Sequence, residues 1–100
     1  MPEIPEIETV RRILDEQLLG QEISRVEVLR PKTLNVSAEE FTSALEGQRI
    51  VSFRRRAKIV IMTLTNHYSL LFHFMLDGYV RIFSSGEPVA DKANVVLTFR

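Results

Sequence analysis

The sequence predicts a mainly β domain of the α+β class: an antiparallel β-sandwich flanked by an N-terminal helix and a second short helix. Three observations predict it. Ile7, Val10, Leu14 and Leu18 recur at helical spacing near the start. Ser37 followed by Glu40 opens a second, shorter helical segment that Gly47 closes. The rest reads as short β runs joined by connections too short for parallel crossovers, which leaves antiparallel hairpins.

The elements follow in order. In the first helix Pro5 suits the opening turn, where its missing N–H costs nothing. Glu3, Glu6 and Glu8 complement the positive end of the helix dipole. Ile13 lies beside the apolar stripe, and Gly20 is a natural stop. Residues 22–29, EISRVEVL, alternate as a strand does, and Pro31 to Ser37 is a loop. After the second helix come RIVSFRRR, AKIVIMTLT, YSLLFHF, YVRIFS and ANVVLTF. Thr65-Asn66-His67, Asp77-Gly78 and Ser84 to Pro88 punctuate these runs, with Asn66 the expected turn tip. The expectation is roughly six strands and two helices.

At 100 residues the chain is one domain, 1–100. A domain of this size buries roughly 65% of the surface its unfolded chain exposes, enough for a core. Apolar content of 45% and charged content of 26% are those of an ordinary globular protein. No cysteine is present, which excludes disulfides and thiolate metal sites within the chain. No apolar run approaches the ~18 residues of a membrane span. The N-terminus is acidic where a secretory signal is basic, so a cytoplasmic location is expected. Zero formal net charge argues against nucleic-acid binding by the whole surface and leaves room for a local basic patch.

Four features carry possible chemistry. Pro2 follows the initiator directly, and small second residues favour removal of Met1. The exposed secondary amine would have a pKa of about 7.7–8.0, and its neutral form attacks aldehyde and acetal carbons to give an iminium. Taken alone, Pro2 is more often a lead into a helix. Glu3 and Glu6 are spaced to share one face at the helix start, one as general acid if buried and the other orienting the amine. Dipole compensation is the commoner use of such a pair. Arg54, Arg55, Arg56 and Lys58 form the densest basic run. On a continuous strand Arg54, Arg56 and Lys58 would line one face, as a phosphate-contacting stripe, and Arg55 the other. A solvated strand face is the plainer account. His73 stands among Phe72 and Phe74, where a lone histidine is more often a core residue than a ligand. With two histidines and no cysteine, no metal site is expected.

Together these stretches resemble one family. MPEIPEIETVRR resembles the amino terminus of formamidopyrimidine-DNA glycosylases, which typically read M-P-E-L-P-E-V-E. RRAKIVI resembles their R-R-[GA]-K-[YF] strand, and HFMLDGYVRI their H-L-G-M-[ST]-G-x-[LF]-R-I segment. The resemblance runs over the whole chain.

It implies a base-excision repair DNA glycosylase and AP lyase that removes oxidised purines such as 8-oxoguanine and then nicks the strand by β,δ-elimination. Pro2, freed of Met1, would be the nucleophile at C1′. Glu3 would assist opening of the deoxyribose ring, and Glu6 would help position the reacting site. Lys58 would contact phosphate or lesion. His73 would approach the DNA backbone, and the basic run of Arg54, Arg55 and Arg56, read on its own chemistry, would add DNA contacts. Leu76 aligns with the methionine that fills the hole left by the flipped base. The partner would be damaged double-stranded DNA, met by a monomer that is nucleoid-associated if the source is bacterial, with no membrane and no small-molecule cofactor.

The family's helix–two-turns–helix module and zinc finger would follow Arg100. The chain therefore reads as a truncated N-terminal catalytic domain, with no cofactor of its own and any zinc held further on. Met75 and Asp77 stand where the family has Gly and Ser or Thr. They motivate a second reading, a non-catalytic DNA-binding or protein-interaction module on the same fold.

Overall fold

The computed structural model describes residues 3–73 and 94–100. Within them the chain forms two helices and five strands: α1 Ile4–Leu18, β1 Ile23–Val28, α2 Ala38–Leu45, β2 Ile50–Arg56, β3 Ile59–Leu64, β4 Ser69–His73 and β5 Val95–Phe99. The expected strand YVRIFS and the turns at Asp77-Gly78 and Ser84 to Pro88 lie outside the described residues.

The strands make two antiparallel sheets, β1 with β5 and β2-β3-β4 in order. An isolated bridge between Glu22 and Arg49 ties the first sheet to the second. The three-stranded sheet is a meander, as its short connections require. The β1–β5 pair joins segments about seventy residues apart, with Val26 opposite Leu97 and Val28 opposite Val95.

Sequence chemistry accounts for each boundary. Glu3 caps α1 with extended backbone, and the Glu6 carboxylate accepts from the Glu3 N–H at 3.3 Å. Pro5 occupies the first turn as expected. The helix stops before Gly20, whose φ of +81° suits glycine, and the Gly20 N–H donates to the Ile50 carbonyl. Ser37 caps α2 by accepting from the Glu40 N–H at 3.1 Å. At the β3–β4 turn Asn66 donates to the Ala44 carbonyl and accepts from the Tyr68 N–H, which ties the turn to α2.

The core lies between the helices and the inner sheet faces. Ile7 and Leu14 come from α1, Ile23 and Val26 from β1, Phe41 and Leu45 from α2, and Ile50, Phe53, Val60, Met62 and Leu64 from the β2–β3 pair. Alternation along β3 is strict: Val60, Met62 and Leu64 point inward. Ile13, beside the stripe, is 42% exposed, and the buried residues of α1 are Ile7 and Leu14.

One correction matters for function. The basic run does not continue along one strand. Arg56 pairs with Ile59, so Ala57 and Lys58 are the two central residues of a tight β2–β3 hairpin. Ala57 adopts the left-handed φ of +52° that this turn demands. Lys58 therefore stands at the tip of a hairpin, not on the face shared by Arg54 and Arg56.

Candidate catalytic end of the first helix

α1 lies across β2, so the start of the helix and the β2–β3 turn come to the same end of the molecule. Lys58 is the link. Its Nζ stands 3.9 Å from the Glu3 Oε2, with the lysine side chain one-third exposed and the Glu3 side chain 69% exposed. Glu6 joins the same end through its bond to the Glu3 N–H. Pro2 is one peptide bond from Glu3, and both it and Met1 lie outside the described residues, as does Leu76.

His73 pairs with Ile59, the residue after Lys58, across the β3–β4 ladder. It is exposed, not a core histidine, because the inward positions of β4 are Leu70 and Phe72. Arg54 and Arg56 are exposed on the outer face of β2. Glu3, Glu6 and Lys58 thus gather at one end, while His73, Arg54 and Arg56 are exposed on the outer face of the sheet. Among the described residues no group of three or more His, Cys, Asp or Glu could hold a metal ion. With no cysteine in the chain, its residues do not fit a zinc site of the family kind. Among the described residues no helix is long and apolar enough to cross a membrane.

Arg55 lies on the opposite face from Arg54 and Arg56, as alternation predicts, but it is not presented as a free DNA contact. It points inward toward α1, where its Nε donates to the Glu8 Oε1 at 3.0 Å and its Nη1 donates to the Ala57 carbonyl at 2.8 Å. Its side chain is 28% exposed. Strand alternation separated it correctly from Arg54 and Arg56, but its hydrogen bonds go to protein groups.

Glu8 is the residue that sequence reasoning undervalued. Its carboxylate also accepts from the Arg11 Nη2 at 2.8 Å and the Arg12 Nε at 3.2 Å. Arg11 in turn reaches the Phe53 carbonyl of β2 at 3.5 Å. The available signal was spacing: Arg11 and Arg12 follow Glu8 at i+3 and i+4, where opposite charges meet on a helix.

These bonds lower the Glu8 pKa from 4.5 to about 2, first through the hydrogen bond from Arg11 and next through that from Arg55. Hydrogen bonding to Glu8 likewise raises the Arg11 pKa. The sign for stability follows. Between pH 4.5 and 2 the unfolded chain binds a proton at this position that the folded chain refuses, so stability falls as pH falls. The Tm gap between the wild type and Glu8→Gln should be constant above about pH 5, narrow on acidification through that window and close near pH 2. A thermal-melt series in pH checks it. A gap that is flat down to pH 2 would mean that the carboxylate contributes nothing through its charge.

Comparison with known proteins places this geometry. The profile of the formamidopyrimidine-DNA glycosylase N-terminal domain matches residues 1–100. A formamidopyrimidine-DNA glycosylase of Carboxydothermus hydrogenoformans is 42% identical over 89 residues, covering 88% of this chain and 34% of the relative. One from Listeria monocytogenes is 36% identical over 100 residues, covering 99% of this chain and 36% of the relative. The crystal structure of the Lactococcus lactis enzyme bound non-covalently to DNA containing an AP site superposes with a TM-score of 0.93 at 28% identity, covering 98% of this chain and 38% of that one. The same enzyme with DNA containing FAPY-dG gives 0.92 at 29% identity, covering 97% and 37%. The chain thus spans about a third of the length of the curated relatives it matches.

Proposed function

We propose that this chain, which belongs to the formamidopyrimidine-DNA glycosylase family, carries the base-excising and AP-lyase chemistry of a base-excision repair enzyme for oxidised purines. The observation that carries the reading is the Lys58 ammonium 3.9 Å from the Glu3 carboxylate, at the end of α1 and one peptide bond from Pro2. Solved relatives bound to DNA with an AP site and with FAPY-dG support damaged DNA as the partner.

The chemistry runs as follows. The Pro2 amine, neutral once Met1 is gone and its proton lost, adds its electron pair to C1′ of the damaged nucleotide. The glycosidic bond breaks, the base leaves with the electrons of that bond and takes up a proton, and the amine now bonded to C1′ loses its own proton. Opening of the deoxyribose ring leaves an iminium at C1′, with Glu3 supplying the proton to the ring oxygen. The iminium then draws electrons from C2′ after loss of a C2′ proton, and the 3′-phosphate leaves by β-elimination. A second elimination releases the 5′-phosphate. None of these steps calls on a dissociable cofactor.

Each remaining residue has a place in that scheme. Glu6 helps hold the reacting site through the Glu3 backbone. Lys58 meets phosphate or lesion, and a helix N-terminus favours that anion and disfavours a protonated amine. Arg54, Arg56 and His73 approach the DNA backbone, and Leu76 fills the space of the extruded base. Both Glu3 and Glu6 are exposed, so the desolvation that sharpens acid catalysis comes from the bound DNA. The protein works as a monomer in the cytoplasm, nucleoid-associated if its source is bacterial.

Borohydride trapping tests the proposal. The protein, checked by intact mass for loss of Met1, is mixed with a duplex carrying one abasic site. A reduced adduct that disappears when Pro2 is blocked is the expected result. No adduct at high protein concentration, with Met1 verified absent, would overturn the enzymatic reading in favour of a non-catalytic DNA-binding or protein-interaction module.

A further inference from the structure

We infer that Glu8 is a positioning residue: from the body of α1, acting through Arg55, it fixes the Ala57–Lys58 turn and so sets where the Lys58 amine stands relative to the Glu3 carboxylate. The inference rests on the reading of Glu3 and Lys58 as members of the reacting site.

Arg55 makes the connection with two different edges of one planar guanidinium. Nε meets the Glu8 Oε1 at 3.0 Å, and Nη1 meets the Ala57 carbonyl at 2.8 Å. The fork is rigid, so fixing one edge aims the other. Ala57 sits in left-handed backbone at a φ of +52°, a conformation that costs an alanine energy and persists when its surroundings hold it. The next residue is Lys58. The chain of contacts therefore runs from Glu8 to Arg55, to the strained turn, to Lys58, and back to Glu3 on the same helix.

The other end of this circuit is equally anchored. Glu8 is held from its own helix by Arg11 and Arg12, and Arg11 also donates to the Phe53 carbonyl on β2. Three arginines hydrogen-bond this one carboxylate, which fixes it from both the helix and the sheet. A bare helix clamp would need only Glu8, Arg11 and β2. The bond from Arg55 to the turn carbonyl is the part that a clamp does not require.

A double-mutant cycle on trapping kinetics separates the two roles. Glu8→Gln, Lys58→Met and the pair are compared with the wild type on abasic-site duplex under borohydride, at a temperature where circular dichroism shows each folded. Glu8→Gln should lower the trapping rate at saturating DNA by about 10-fold to 100-fold, the scale of a misplaced reacting group, with half-saturating DNA within about twofold. The double variant should be no slower than Lys58→Met alone. Arg55→Lys keeps a cation for Glu8 but loses the planar fork, and should repeat the rate loss with a smaller loss of Tm. It also serves if Glu8→Gln fails to fold.

Independent, multiplying effects of Glu8→Gln and Lys58→Met would overturn the inference, as would an unchanged rate or a change confined to half-saturation. If the wild type forms no adduct, the proposed function has failed and the inference is read without activity. Nuclear Overhauser contacts between the Lys58 and Glu3 side chains should then be present in the wild type and lost in Glu8→Gln. Their persistence in the variant, or absence from the wild type, would overturn it.

Discussion

Glu3→Gln should abolish base excision while leaving the protein folded and still able to bind damaged DNA. The substitution keeps the shape of the side chain and removes only its ability to ionise and deliver a proton. Loss of a positioned general acid costs typically about 10²–10⁴-fold in rate. Structure argues that little else changes. The Glu3 side chain is 69% exposed, and its role as helix cap is carried by backbone: the Glu3 carbonyl accepts from the N–H groups of Glu6 and Ile7 at 3.0 and 3.1 Å. An exposed substitution of this kind moves stability by no more than about 0.5 kcal/mol. The measurement is single-turnover excision on a duplex with an 8-oxoguanine or formamidopyrimidine lesion, beside a binding titration and a thermal melt. Excision at the wild-type rate would remove Glu3 from the mechanism. Lost excision with equally lost binding would make Glu3 a DNA contact rather than an acid.

The framework of this site was legible in the sequence because its signals are local. The place of Pro5 in the first turn of α1, the Ser37 cap of α2 and the Asn66 turn each depend on residues within a few positions, and each stands where expected. RIVSFRRR and AKIVIMTLT read as separate runs, but the Ala57–Lys58 turn between them was hidden because neither residue is a turn former. Only the pairing of Arg56 with Ile59 reveals the reversal. The β1–β5 pair was hidden for a different reason: nothing in EISRVEVL names its partner near Arg100. Arg55 and Glu8 show the same division. Alternation puts Arg55 on the opposite face from Arg54 and Arg56, which is a local fact. That this face meets α1 at Glu8, 47 residues earlier, is tertiary. Periodicity placed Ile13 beside the apolar stripe of α1 but could not tell how wide a face the sheet covers.

Ile7→Ala should be the most damaging single change to the fold among those that touch the site. Ile7 is 1% exposed and is the first residue of α1 to enter the core. Truncating a buried isoleucine to alanine costs about 2–5 kcal/mol through lost transfer and an unfilled cavity. Against a total stability of about 5–15 kcal/mol that is a large share. At roughly 4–8 °C per kcal/mol for a domain of this size, the melting temperature should fall by tens of degrees at the upper end. Ile13→Ala is the control within the same helix. Ile13 is 42% exposed, alanine is the better helix former, and the change should be close to neutral. The two variants remove the same atoms six residues apart, so their difference isolates burial from helix propensity. Ile7→Val should fall between them, at about 0.5–1.5 kcal/mol. The consequence for function follows from position. Ile7 lies between Glu6 and Glu8, and its N–H closes the first turn onto the Glu3 carbonyl. Loosening it frees the turn that carries both carboxylates and the residue that holds Arg55. Excision by the folded fraction of Ile7→Ala should therefore fall further than its population does, whereas Ile13→Ala should excise as the wild type. Equal melting temperatures for Ile7→Ala and Ile13→Ala would mean that α1 is not held by this contact, and the geometry of Glu3 and Lys58 would need another anchor.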